Sequence, residues 1–256
     1  MTDRFTGKVA VVTGAGAGMG AAVARRLAAE GARIAAFDLD LAAATATAAD
    51  LDGATPFQVD IRADAAVRDA MAAVADRFGG VDLLVNVAGV VRYGEVPDMA
   101  EDDWDLVIDT NLKGSYLTCK YGIPLMAARG GGAVVNFASV QAFASQRLVA
   151  AYSASKGGVV SLTRTLALDH AKDNVRVNCV CPGSVATPML RYGAELLDER
   201  DPEETMRDWG ALHPIGRLIQ PEDVTGLVAF LLSDEAAVIT GAPHLVDGGL
   251  LAKLGV

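Results

Sequence analysis

Lys8-Val-Ala-Val-Val-Thr13-Gly14-Ala-Gly16-Ala-Gly18-Met19-Gly20 decides the fold. An apolar run of strand length enters a glycine-rich turn, and Gly18 to Glu30 then carries an amphipathic helical pattern that Gly31 ends. Glycines at such a junction let the backbone turn tightly and approach a pyrophosphate, which the helix N-terminus then stabilises. The spacing is Gly-x-x-x-Gly-x-Gly from Gly14 to Gly20, not the commoner Gly-x-Gly-x-x-Gly. Position directly after the first strand and at the opening of the first helix is what gives it weight.

The same alternation continues outward. Strands are expected at Arg33–Phe37, Thr55–Val59, Val81–Asn86, Ala133–Ala138, Val175–Val180 and His244–Val246. Helical patterns cover Leu41–Leu51, Asp64–Phe78, Glu101–Ala128, 152–172 and Pro221–Leu232, with Pro124 marking a kink or early end in the third of them. Continuous apolar strands separated by helices mean a parallel sheet covered on both faces: an α/β, Rossmann-like, doubly wound fold of one domain over residues 1–256. Residues 188–218 interrupt the rhythm, mixing apolar anchors with charges, and read as a substrate-covering lid.

Two carboxylates sit where a dinucleotide would need them. Asp38 ends the second strand, can accept both hydroxyl protons of an adenosine ribose, and would repel a 2′-phosphate. No Arg or Lys occupies Ala17, and Leu39 follows Asp38, so NAD is expected over NADP; the alternative is that Asp38 caps the next helix. Asp60-Ile61 ends the third strand near the adenine, and Asn86-Val-Ala88-Gly89 lines the trough beside it.

A second constellation lies in Ser139 and Tyr152-Ser-Ala-Ser-Lys156. In a helix Tyr152 and Lys156 stack on one face, so an ammonium can act on a phenol. Lowering a tyrosine pKa by roughly 3 units takes about 4 kcal/mol of preference for the phenolate, within reach of a fixed cation in a semi-dry pocket. A phenol tuned in this way is a general acid or base for an alcohol/ketone pair.

Composition narrows the field. Among 256 residues, 22 are basic and 32 acidic, for a formal net charge of −10, which disfavours nucleic acid as a partner. No secretory pattern and no apolar run of membrane-spanning length is evident, so a cytoplasmic protein is expected. Cys179 and Cys181 read as small core residues, and the scattered His170, His213 and His244 are assigned no chemistry or metal.

Taken together, Thr13-Gly-x-x-x-Gly-x-Gly20, Asp60, Asn86-x-Ala-Gly89, Asn111, Ser139, Tyr152-x-x-x-Lys156, Pro182-Gly183 with Thr187, and Val246-Asp-Gly-Gly249 resemble the short-chain dehydrogenase/reductase family. Val87 departs from it, standing where a second asparagine is usual. The three-residue gap between Tyr152 and Lys156 argues against the family's enoyl-reducing branch. The resemblance implies a sheet of about seven strands and an NAD-dependent oxidoreductase interconverting a secondary alcohol and a ketone. It implies that Tyr152 exchanges a proton with the substrate oxygen and that Ser139 hydrogen-bonds the same oxygen. Lys156 lowers the Tyr152 pKa and bonds the nicotinamide ribose, Asn111 holds a relay water, and Pro182-Gly183-Ser-Val185-Ala-Thr187 holds the carboxamide.

Substrate walls are expected from Gln141, Gln146, Ser184, Met189 and Tyr192, with Arg92, Arg147 and Arg191 the few cations nearby. A small neutral or alicyclic alcohol fits best. The competing readings are a 3-oxoacyl-thioester reductase acting on an acyl carrier, and a non-catalytic dinucleotide sensor. Surplus apolar residues on the two long helices (Leu106, Leu112, Tyr116, Leu162, Leu166 and Leu168) agree with the homotetramer that the resemblance implies.

Overall fold

The computed structural model describes residues 3–253. Seven parallel strands form one sheet in the order β3-β2-β1-β4-β5-β6-β7. They are β1 (Val9–Thr13), β2 (Arg33–Asp38), β3 (Thr55–Gln58), β4 (Leu83–Asn86), β5 (Gly132–Phe137), β6 (Val175–Pro182) and β7 (Pro243–Val246). All five residues of β1 are buried, because this central strand is covered on both faces. Ala10 and Val12 point toward α1 (Gly18–Ala29) and α9 (Pro221–Leu232). Val9 and Val11 point the other way, toward α3 (Asp64–Phe78), α5 (Gly114–Ala128) and α6 (Ala150–His170). From β1 the chain builds outward to β2 and β3, then crosses to β4. That reversal opens a crevice at the carboxyl ends of β1 and β4, where ligands bind in open α/β sheets.

The segment expected as one helix over Glu101–Ala128 is interrupted, but not at Pro124. It runs as α4 (Glu101–Ile108), a single π-helical turn over Asp109–Lys113, and α5, which carries Pro124 inside it. Pro124 and Lys120, four residues before it, both face solvent, so water can satisfy the carbonyl that the proline leaves without a donor. The π turn swings Asn111 inward, where it is buried.

The irregular segment after residue 187 is also more ordered than its composition suggests. It forms α7 (Pro188–Leu197) and α8 (Pro202–Ala211). Each begins with Pro at its first position behind a capping side chain, Thr187 accepting from Leu190 N–H and Asp201 from Glu203 N–H. The remaining helix, α2 (Leu41–Ala48), is capped by Asp40, whose carboxylate accepts from the N–H groups of Ala42 and Ala43. That leaves Asp38 out of the cap.

Candidate active site

A trough of ≈ 340 Å³ lies across the crevice. Gly14, Gly18, Met19 and Gly20 line it from the first turn, Asp38 and Leu39 from β2, Asp60 and Ile61 from behind β3, Ala88 and Gly89 from behind β4, and Thr187 from the far side. Two glycines are required by geometry. Gly14 has φ +65°, and a Cβ there would lie 2.9 Å from Ala88 Cα. A Cβ on Gly20 would overlap the carbonyl oxygen of Gly14. Ala17, at the N-cap of α1, offers no side-chain acceptor, so the first-turn N–H groups remain available to an anion. Glycines that let the backbone come close and an uncapped helix end suit the pyrophosphate of a dinucleotide.

Not every expected cofactor residue reaches this trough. Gly16 is tucked against Asp38, donating its N–H to Oδ2 at 2.8 Å, while Asp40 N–H donates to Oδ1 at 3.0 Å. Asp38 is thereby held in one orientation at the trough wall. The Asn86 side chain is a correction: it turns beneath the trough and is fully buried. Its Nδ2 donates to Asn136 Oδ1 at 2.9 Å, and its Oδ1 accepts from Thr118 Oγ1 at 2.7 Å. Asn136 Nδ2 in turn donates to Thr163 Oγ1 at 3.0 Å. Arg62 borders the trough, but Asp60 clamps its guanidinium through contacts of 2.9 and 2.7 Å.

Beside the trough lies a smaller cavity of ≈ 120 Å³. Ser139 and Tyr152 both open into it, as do Pro182, Gly183, Ser184, Val185 and Thr187. Met19, Thr187 and Met189 border both spaces, so what sits in one touches what sits in the other. Ser139 follows β5, and its hydroxyl accepts from Gln141 N–H at 3.1 Å. Tyr152 and Lys156 lie one turn apart on α6, with Lys156 Nζ 5.5 Å from the Tyr152 ring centroid. Lys156 is buried below the tyrosine and donates to the Phe137 carbonyl at 2.7 Å.

The electrostatics depart from the expectation that Lys156 lowers the Tyr152 pKa. Burial pushes the Tyr152 phenol up to about 12, and the neighbouring Ser139 hydroxyl pulls it only partly back. Burial also pushes Lys156 down, to about 8, against a smaller opposing influence from Cys181 and Cys179. The ammonium is spent on the Phe137 carbonyl and the ring face rather than on the phenolic oxygen. The Asn111 side chain is spent within the protein. Its Oδ1 accepts from Val90 N–H at 2.8 Å, and its Nδ2 donates to the Val90 carbonyl at 3.0 Å and to Ser155 Oγ at 3.0 Å. It therefore clasps the loop behind β4 onto α6.

Comparison with known proteins agrees with this architecture. A family model described as Enoyl-(Acyl carrier protein) reductase matches residues 14–251. The chain is 39% identical to 2-(S)-hydroxypropyl-CoM dehydrogenase 3 of Xanthobacter autotrophicus, over 98% of this chain and 100% of that protein. It is 40% identical to D-threitol dehydrogenase of Mycolicibacterium smegmatis, over 98% and 95%. The ligand-free structure of Thermoplasma acidophilum aldohexose dehydrogenase superposes with a TM-score of 0.92 at 34% identity, covering 100% of this chain and 98% of that one. The chain belongs to the short-chain dehydrogenase/reductase family. Members of the family use a nicotinamide dinucleotide, NAD or NADP.

In this short-chain dehydrogenase/reductase the expected substrate residues divide. Gln141, Gln146, Ser184 and Met189 line the smaller cavity. Tyr192 does not; it is 42% exposed and packs on Tyr93, ring centroids 6.2 Å apart. Tyr93 takes the cavity position instead. Side-chain direction in a loop carries no periodic signal, so nothing in the sequence singles Tyr93 out. The three arginines all turn away. Arg92 pairs with Asp103 at 3.1 Å, Arg147 with Glu95 at 3.1 Å, and Arg191 with Glu203. Among the described residues, no charged side chain lines the cavity.

His213 was assigned no role, yet it braces the site. Fully buried, it pairs through Nδ1 with the Trp209 carbonyl at 3.0 Å and accepts Ser184 N–H at Nε2 at 3.1 Å. This arrangement requires the neutral Nδ1–H tautomer and ties α8 to the loop after β6. Cys179 and Cys181 are free and buried against Val159 and Val160 of α6. Among the described residues, no group of three His, Cys, Asp or Glu side chains is placed to hold a metal, and no helix is long and apolar enough to cross a membrane.

Proposed function

We propose that this protein is an NAD(H)-dependent oxidoreductase interconverting a secondary alcohol and a ketone on a small, neutral substrate. The observation that carries this reading is the meeting of Ser139 and Tyr152 in one uncharged cavity that shares its wall with the trough. Tyr152 would exchange a proton with the substrate oxygen, and Ser139 would hold that oxygen in line. Lys156, one turn below, would keep a positive charge near the phenol. The Pro182–Thr187 loop, fixed by His213, would orient the ring end of the cofactor. When bound, the nicotinamide accepts or supplies the hydride.

The relatives support the alcohol reading, since those named above are dehydrogenases of a hydroxypropyl compound, a tetritol and aldohexoses. The description of the matching family model names enoyl reduction instead. Against that stands the three-residue gap between Tyr152 and Lys156, which puts both on one helical face with Ser139 beside the phenol. Purified protein with NAD⁺ and a panel of secondary and cyclic alcohols, followed by nicotinamide absorbance, tests the reading. Turnover of 2-enoyl thioesters without turnover of any alcohol would overturn it.

Preference for NAD over NADP rests on Asp38. Its carboxylate is pinned at the trough wall, and the nearby Arg62 guanidinium is neutralised by Asp60. A 2′-phosphate placed there would meet like charge without a cation. At an effective dielectric near 20 such repulsion is worth about 3 kcal/mol, so kcat/KM should favour NAD⁺ over NADP⁺ on the order of 100-fold. Asp38→Ser should shrink that ratio to about 10 or less. A wild-type preference for NADP⁺ in the same assay would defeat the assignment.

We read α7 and α8 as the lid of a single-domain enzyme. With all three cysteines present as free, buried thiols, a cytoplasmic setting fits. A homotetramer is supported by apolar side chains left outside the core. Of the six residues named from the sequence, Leu112 and Leu166 pack inward, but Tyr116 is 46% and Leu168 81% exposed. Val238 and Leu245 add a second exposed apolar surface before and on β7. Light scattering at micromolar concentration should give four times the chain mass; a monomer would refute the assembly.

A further inference from the structure

We propose that Tyr93 holds a second substrate oxygen, on the carbon beside the one that changes oxidation state, and that the substrate class is a small neutral vicinal diol or its α-hydroxyketone. The inference rests on reading the cavity as an alcohol/ketone site.

Tyr93 and Tyr152 line the same cavity, close enough that charge on one phenol acts on the other. The Tyr93 ring is seated against Tyr192 of α7, and its hydroxyl lies against Gly193, where an added Cβ would overlap it. The phenol is therefore held in place by the lid rather than free to swing. Burial and the neighbouring Tyr192 raise its pKa, so it stays a neutral donor through the physiological range.

Several other polar side chains around the cavity are engaged within the protein. Ser139 accepts from Gln141 N–H, and Gln141 Oε1 accepts from Gln146 N–H at 3.0 Å. Thr187 Oγ1 donates to the Val185 carbonyl at 3.2 Å. Among the described residues the Tyr93 hydroxyl makes no hydrogen bond to protein. The cavity thus offers the Tyr93 hydroxyl in addition to Ser139 and Tyr152, among walls that include the apolar Val91, Val149 and Leu190.

Size and charge complete the description. A space of ≈ 120 Å³ is well below the several hundred typical of larger ligands, which favours a short carbon skeleton with its two oxygens close together. With no charged side chain in the lining among the described residues, a phosphate, carboxylate or sulfonate would find no ionic partner there. A mono-alcohol would leave the Tyr93 hydroxyl covered and unpaired, and sites built around a substrate hydroxyl discriminate strongly against analogues that lack it.

The test compares matched pairs on one carbon skeleton, from 1,2-propanediol with 2-propanol to 1,2-cyclohexanediol with cyclohexanol. In the wild-type enzyme kcat/KM should favour the diol by about 100-fold or more in at least one pair. Tyr93→Phe should shrink that ratio by about 10–100-fold, with melting temperature and NADH binding reporting that the variant is folded. Mono-alcohols used as well as diols by the wild type, or a ratio untouched by Tyr93→Phe, would overturn the inference while leaving the alcohol reading intact. If Tyr93→Phe does not fold, the wild-type comparison decides alone. Turnover of neither member of any pair, nor of any other secondary alcohol, would sink the broader reading.

Discussion

Tyr152→Phe should lower kcat by about 10²–10⁴-fold, the usual worth of a positioned general acid or base. NADH affinity, followed by nicotinamide fluorescence, should change by less than about twofold, because the lost hydroxyl faces the smaller cavity and not the trough. The prediction is sharp because a phenylalanine fits the same buried space and removes only the oxygen. A pH direction follows from the same group. The phenol is held protonated up to about 12, so oxidation, which needs the phenolate, should speed up as pH rises from about 6 to 8. Reduction, which needs the phenol, should stay level from about 6 to 7, where Lys156 keeps most of its charge, and begin to fall near 8 as that charge is lost. A Tyr152→Phe enzyme near full activity would remove the tyrosine from the chemistry.

Lys156→Met should separate activity from stability. The ammonium is fully buried, and its pKa falls from 10.5 to about 8. The folded state therefore binds fewer protons than the unfolded chain between those values. Stability is short by the full amount below pH 8 and recovers as pH climbs toward 10.5. The deficit is roughly 3 kcal/mol. A methionine of similar length escapes the desolvation. At pH 7 the variant should melt no lower than wild type while kcat falls by about 100-fold or more. A melting temperature lowered by more than about 4 °C would show that the lysine stabilises the fold rather than serving the site.

Much of this architecture could be read from residues alone, and the failures have physical reasons. Asp64–Phe78 and Pro221–Leu232 match their helices end to end, because a first-turn carboxylate or proline marks each start and a glycine or serine each stop. The π turn at Asp109–Lys113 has no composition of its own; it arises where Asn111 is drawn to the Val90 backbone, a contact between distant segments. Pro124 looked like a break only because periodicity does not tell which carbonyl faces water. The helices after residue 187 were legible but missed, since Thr187-Pro188 and Asp201-Pro202 are both capping signals hidden in a charged stretch. For the site, motif order found Ser139, Tyr152 and Lys156, and the structure brings the first two into one cavity with the third just below. Motif order could not say that Asn86 turns inward, that Tyr93 replaces Tyr192, or that burial holds the phenol up.

Thr118, Asn86, Asn136 and Thr163 form a directional thread through an otherwise aliphatic interior, from α5 across β4 and β5 to α6. Oily contacts alone would let a helix slide or rotate over the sheet at little cost, whereas a chain of donors and acceptors is satisfied in one alignment only. Thr163 lies about three turns along α6 from Tyr152, on the same side, so fixing one end of the rod sets the aim of the other. The accuracy of the reactive end is therefore anchored far from it, in buried amide and hydroxyl groups.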